Sequence, residues 1–179
     1  MASFQDIWNE MREAEQLPCV LLDVAGLERG FAQLPAAAFS SIECLFTGDL
    51  ADELRDVAPY LARAASFELP VRDALAALLK TQVAALVELA DPATTFAHLH
   101  RHLRKFNLAY NAAGNPRFFR YYDARLMLQM LTKFNADKRK HFFGPISRFT
   151  FFRQERATQP GVFVRCQCSA GGLLITTRT

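Results

Sequence analysis

The sequence predicts an α/β fold with a mixed, largely parallel sheet, flanking helices, and a short helical segment and β-hairpin at the C-terminal end. Three observations carry this. Short apolar runs of strand length alternate with longer stretches of helical spacing through most of the chain. The stretch Phe118-Phe119-Arg120-Tyr121-Tyr122-Asp123-Ala124-Arg125-Leu126-Met127 passes from a short aromatic strand, through a carboxylate at an N-cap position, into an apolar-periodic helix. Beyond it, Phe149 with Phe151 and Val162 with Val164 alternate in two β-like runs on either side of Gln159-Pro160-Gly161, which is the pattern of a hairpin.

Taken in order, residues 3–16 are polar except for Phe4, Ile7, Trp8 and Met11 at helical spacing, so an amphipathic helix begins the chain. Strand and helix then alternate: strand 18–24, helix 27–35, strand 42–47, helix 50–64, an extended piece 67–70, helix 71–80, strand 82–88 and helix 92–106. Asn111-Ala112-Ala113-Gly114-Asn115-Pro116 is a turn that delivers the chain into a strand over 117–122. The helix after Asp123 is marked by Leu126, Met127, Met130 and Leu131. A second helix, 135–142, stops at Gly144-Pro145, where a residue tolerant of the left-handed region precedes one that has no donor. The Thr-rich tail from Gly171-Gly172 offers too little apolar area to order itself alone.

Hydrophobic residues fill 51% of 179 positions. A chain of that size buries roughly 70% of its unfolded surface in one domain without staples. Cys19, Cys44, Cys166 and Cys168 lack metal-knuckle or disulfide-framework spacing, and neither a signal peptide nor a membrane-spanning run is visible, which points to a cytoplasmic protein. Cys19 and Cys44 are expected to pack as small core hydrophobes. The net charge of +3 hides an asymmetry: residues 1–60 carry three Arg against eleven Asp and Glu, a net −8, and residues 133–179 carry nine Lys and Arg against two acids, a net +7. An acidic first third disfavours wrapping by nucleic acid all round, and the basic last third suits an acidic protein segment or a nucleic acid.

Enzymatic signals are weak. His98 and His102 share a helix face, but a zinc protease would need Glu where Leu99 stands, so a solvated His/Arg face is the simpler reading. Cys166 and Cys168 alternate across a strand and point to opposite faces. The chain has no Gly-x-Ser-x-Gly elbow and no phosphate-binding glycine loop. Asp23 and Asp123 both follow predicted strands and read as N-caps, Asp23 for the helix near Leu27, with Arg120 and Arg125 placed to form an ionic network around Asp123. Catalytic, cofactor and metal residues are therefore expected to be absent. The basic cluster Lys138-Arg139-Lys140-His141 is interleaved in sequence with Phe142, Phe143, Phe149 and Phe151. Apolar anchors ringed by cations are the make-up of a protein-recognition groove, although phenylalanines here could equally be core.

The wording Arg120-Tyr121-Tyr122-Asp123-Ala124-Arg125, followed at about twenty residues by Phe142-Phe143-Gly144-Pro145-Ile146, resembles the type VI secretion effector chaperones, an adaptor family long catalogued as a domain of unknown function. Four upstream segments fit in order: the strand Cys19-Val20-Leu21-Leu22-Asp23, the Leu45-Phe46-Thr47-Gly48 strand and glycine, the Ala58-Pro59-Tyr60-Leu61 helix and the His102-Leu103-Arg104 helix. The resemblance covers residues 18–147 as an adaptor domain, leaving 1–17 as an N-terminal amphipathic helix and 148–179 as a hairpin and tail in place of the family's longer C-terminal lobe. It implies a structural motif of Asp23, Arg120, Tyr122, Asp123, Arg125, Gly144 and Pro145. It also implies a non-enzymatic cytoplasmic adaptor, without cofactor or nucleic acid, that binds the N-terminal region of a cognate effector and helps load it onto a VgrG-type spike. Phe142, Phe143, Phe149, Phe151, Lys138 and Arg139 are the expected cargo residues. The competing classes are a small α/β enzyme and a nucleic-acid-binding module using the basic C-terminal third.

Overall fold

The computed structural model of the chain describes residues 3–111, 113–156, 158–169 and 172–178. In chain order the elements are α1 (Phe4–Glu13), β1 (Cys19–Asp23), β2 (Phe39–Cys44), α2 (Asp49–Glu53), β3 (Pro59–Ala64), α3 (Leu69–Lys80), β4 (Ala84–Leu89), α4 (Phe96–Arg104), β5 (Leu108–Tyr110), β6 (Pro116–Phe118), α5 (Ala124–Lys133), α6 (Ala136–Phe143), β7 (Ile146–Arg153), β8 (Val162–Ser169) and β9 (Gly172–Arg178). Seven strands form one sheet in the order β2-β3-β1-β4-β7-β8-β9, and β5 with β6 forms a separate two-stranded ribbon.

Every pairing is antiparallel, which corrects the largely parallel sheet expected from the sequence. The physical reason lies in the order of the strands. β3 and β4, joined through α3, do run the same way, but β1 lies between them and pairs antiparallel with both. β1 and β2 are likewise separated by β3. The strand-helix-strand grammar is real, but each parallel pair is split by an inserted strand.

That inserted strand corrects a second expectation. Residues 50–64 are not one helix: α2 ends at Glu53, and Pro59-Tyr60-Leu61-Ala62-Arg63-Ala64 is β3, including the Pro59-Tyr60-Leu61 segment read as helical. Alanine favours helices locally, but Ala62 and Ala64 are wholly buried on one face and Leu61 on the other, and a strand that fits between two layers overrides propensity. Pro59 occupies the first position, where a missing donor is tolerated. The helix expected at 27–35 is reduced to 3-10 turns at Val24–Gly26 and Gly30–Gln33. Strand 117–122 shrinks to β6, and the tail read as unable to order itself is strand β9, ordered by pairing Leu174 with Gln167 and Ile175 with Cys166. Gly171 and Ala112, read as parts of that tail and of the 111–116 turn, lie outside the described residues.

Both sheet faces are covered. Phe4, Ile7, Trp8 and Met11 of α1, with Val71, Leu75 and Leu79 of α3, pack on Val20, Leu22, Ala62 and Leu86. Arg165, buried on β8, holds α1 down through Glu10 and reaches Glu88 of β4 at 3.3 Å. On the opposite face Leu99 and Leu103 of α4, Met127 and Leu131 of α5, and Phe142 and Phe143 of α6 pack on Leu21, Leu61, Val87 and Phe149. α1 and β7–β9 thus share cores with residues 18–147. No helix among the described residues is long and apolar enough to cross a membrane.

Candidate functional site

The motif residues build a clasp between α5 and the end of β1. Asp123 is the N-cap of α5, its Oδ1 accepting from the Arg125 N–H at 3.0 Å. The same carboxylate accepts from Arg125 Nε at 2.9 Å and from Nη2 at 2.8 Å, a two-point ion pair. Arg120 Nη2 lies 2.6 Å from Asp23 Oδ2 and 3.7 Å from Asp123 Oδ2, so one guanidinium joins the two carboxylates. Asp23 is therefore not the helix cap expected for the segment near Leu27: its side chain makes no capping bond and is spent on Arg120.

Burial pushes the Asp23 carboxyl above its ordinary value against the pull of Arg120, and its Oδ1 is buried without a hydrogen-bond partner. Burial acts on Asp123 in the same direction. There, hydrogen bonding and charge from Arg125, helped by Arg120, outweigh it and hold the carboxyl below its ordinary value. Tyr121, between the two arginine-bearing positions, donates its hydroxyl to Leu103 O of α4 at 2.9 Å, and burial raises its ionisation far out of reach. Tyr122 is buried and likewise raised, first by burial and then by Asp23.

What the clasp positions is the ribbon immediately before it. Phe119 N–H donates to Asn107 O at 2.9 Å and closes the base of the β5–β6 hairpin, and Asn107 Nδ2 donates to Leu45 O at 2.6 Å, fixing that base to the loop after β2. In the ribbon Leu108 pairs with Phe118 and Tyr110 with Pro116, so all four project from one face while Ala109 and Arg117 take the other. Leu108, Tyr110 and Phe118 are 46%, 69% and 52% exposed, a concentration of apolar surface that the described residues leave open. The Phe118 ring meets Phe46 at 5.3 Å. Together with Leu45, Thr47, Asn107, the α4 cations Arg101 and Arg104, and Lys105 just after that helix, this face lines a groove of about 550 Å³.

The sequence-predicted cargo residues sit elsewhere. Phe142, Phe143, Phe149 and Phe151 are all 2% exposed or less, with Phe142 stacked on Phe149 at 5.6 Å and flanked by Phe106, Tyr121 and Phe134. Side chains without accessible surface cannot grip a partner, so these four serve the core beneath the site. Arg139 ties helix ends together, donating from Nη2 to Phe134 O at 2.7 Å and from Nε to Leu131 O at 3.3 Å. Lys138 is exposed, and its backbone N–H is capped by Asn135. Gly144 ends α6 with φ of 48°, and a Cβ there would stand 2.3 Å from His102 Cε1. His102 itself is buried and donates from Nε2 to Phe142 O at 2.9 Å, whereas His98 is exposed. Among the described residues no group of three or more His, Cys, Asp or Glu is placed to hold a metal ion. Leu108, Tyr110 and Phe118 were absent from the sequence-level site. The signal was there in two short alternating runs flanking a glycine-containing turn, with apolar residues that no neighbouring element needed.

Residues 20–141 match the family described as Domain of unknown function (DUF4123). The chain belongs to this family. The match runs from β1 into α6 and takes in the clasp, the ribbon and the groove, while α1 and β7–β9 lie outside it. No curated protein and no solved structure gives a significant match to the chain. Membership by itself assigns the DUF4123 chain no activity.

Proposed function

We propose that this chain is a non-catalytic adaptor of type VI secretion that binds a cognate effector and helps load it onto a VgrG-type spike. The observation that carries the reading is the exposed apolar face of the β5–β6 ribbon, held in place by the Arg120-Tyr121-Tyr122-Asp123-Ala124-Arg125 segment. That segment resembles the type VI effector chaperones, and in this fold Asp123 and Arg125 are committed to one another, Arg120 to Asp23 and the Tyr121 hydroxyl to the Leu103 carbonyl. A clasp that stiffens a docking ribbon suits a protein that must present a surface to cargo. Family membership over residues 20–141 agrees with this resemblance.

The test is whether the neighbouring reading frames encode a VgrG-type spike and a large effector, and whether the chain captures that effector. Co-expression should keep the effector soluble and co-purify it with the wild-type chain, and Leu108→Ser with Tyr110→Ser should abolish capture without lowering the melting temperature by more than a few degrees, because both side chains are exposed. An effector that is soluble alone and ignores the chain sinks the reading. So does a reproducible thermal shift with a nucleotide or metal accompanied by turnover.

A further inference from the structure

We infer that the groove between the ribbon and α4 takes an amphipathic helix whose apolar stripe seats on Phe46, Leu108, Tyr110 and Phe118 and whose flank toward α4 is acidic. The inference rests on the adaptor reading for its biological setting and on the groove's own chemistry for its content.

The groove asks for apolar anchors. It is fronted by the side-chain face of the ribbon, because Leu108, Tyr110 and Phe118 all line it and the register puts them on one face. An extended segment laid on that face would leave its own N–H and C=O groups against apolar side chains, since the unpaired edges of β5 and β6 lie at the sides of the ribbon and not on that face. A helix satisfies its backbone internally and offers side chains at i, i+3, i+4 and i+7.

The charge of the occupant follows from pairing elsewhere. Arg120, Arg125, Arg148 and Arg165 each have a carboxylate partner. Among the described residues Arg101, Arg104 and Lys105 have no ion-pair partner, and no carboxylate lines the groove beside them. Three unpaired cations along one wall of an apolar groove are complementary to Asp or Glu on one flank of a docked helix. A second copy of this chain does not supply such a helix: α1 is amphipathic and acidic, but its apolar face is buried on its own sheet, and α2 spans only Asp49–Glu53. Phe46, Tyr110 and Phe118 beside three cations also match the make-up of a groove for single-stranded nucleic acid, so tighter binding of an oligothymidine is one of the outcomes that overturn the inference.

The probe is a fluorescein-labelled peptide of about 20 residues, long enough for stable helicity, with Leu at helical spacing and Glu on both flanks. A control peptide carries Lys at every Glu position. Anisotropy titrations of the whole chain should show the Glu peptide binding at least about tenfold more tightly than the Lys peptide, with the difference shrinking as salt rises. The pair Arg101→Glu and Arg104→Glu should reverse the preference, and Tyr110→Ser should weaken the Glu peptide about tenfold. These residues are exposed, and circular dichroism with thermal melting verifies that the variants fold. Equal binding of the two peptides, binding of neither, a preference unmoved by charge reversal, or tighter binding of an oligothymidine overturns the inference. Effector capture separates the two levels. If the Glu peptide behaves as stated but no effector is captured, the groove assignment stands and the adaptor reading falls. If the effector is captured equally by wild type and the groove variants while the peptide fails, the reverse holds.

Discussion

Asp23 and Asp123 share one guanidinium yet respond to the fold in opposite senses, and the difference decides what each contributes. Asp123 is held below the ordinary carboxylate value by Arg125 and its capping bond, so it adds stability above about pH 4, lost as pH falls through its lowered value. Replacing it with Ala should cost about 0.5–2 kcal/mol of cap energy, with Asn retaining most of it, as read by urea denaturation at neutral pH. Equal stability of wild type and the Ala variant would show that the cap is idle. Arg125 is more than half exposed and can rehydrate, so its loss of a partner adds little. Asp23 is raised by burial, so its contribution is greatest when protonated and declines as pH rises through that raised value. Asp23→Asn should therefore gain stability relative to wild type as pH rises above about 4, the ordinary carboxylate value. Parallel denaturation profiles, or a difference of the opposite sign, would refute the assignment.

At the scale of elements, the readable ones were those whose local chemistry and tertiary use agree. α1 was legible because Phe4, Ile7, Trp8 and Met11 are spaced for a helix and are in fact its buried face. α5 and α6 were legible because Asp123 caps the first and Gly144 ends the second, and the structure adds Asn135 as the cap of α6. β3 was not, because an alanine-rich strand looks like a helix until two layers close on it. The phenylalanine cluster shows the same limit from another side: sequence proximity of Phe142, Phe143, Phe149 and Phe151 to Lys138 and Arg139 suggested a groove, but strand and helix periodicity turn the rings inward and the cations outward. Phe149→Ala should accordingly destabilise by about 3–5 kcal/mol, the cost of a cavity in a packed core. The drop should appear in equilibrium unfolding. A variant as stable as wild type but defective in capture would return Phe149 to the cargo surface.

At the scale of the molecule, β9 closes one side of the sheet, with Leu173 against the core and Leu174 and Ile175 half exposed. Removing residues 172–179 would bare the β8 edge, an unpaired row of backbone donors and acceptors. The truncated chain should melt lower and self-associate at concentrations where the full chain stays monodisperse, checked by light scattering during a thermal ramp. An unchanged melt would mean that β9 adds nothing to the sheet. The sequence by itself determined that both layers of helix and strand are present, that Asp123 caps α5, that α6 stops at Gly144, and that residues 118–127 lead through that cap into a helix. These are local matters of capping, periodicity and backbone freedom, read within a few residues. Tertiary structure alone decided that the sheet is antiparallel, that Asp23 faces Arg120 across ninety-seven positions, and that the exposed apolar surface is the ribbon rather than the phenylalanine cluster. Strand order and burial depend on which distant segments meet. Only the folded chain shows which apolar residues found partners and which were left facing solvent.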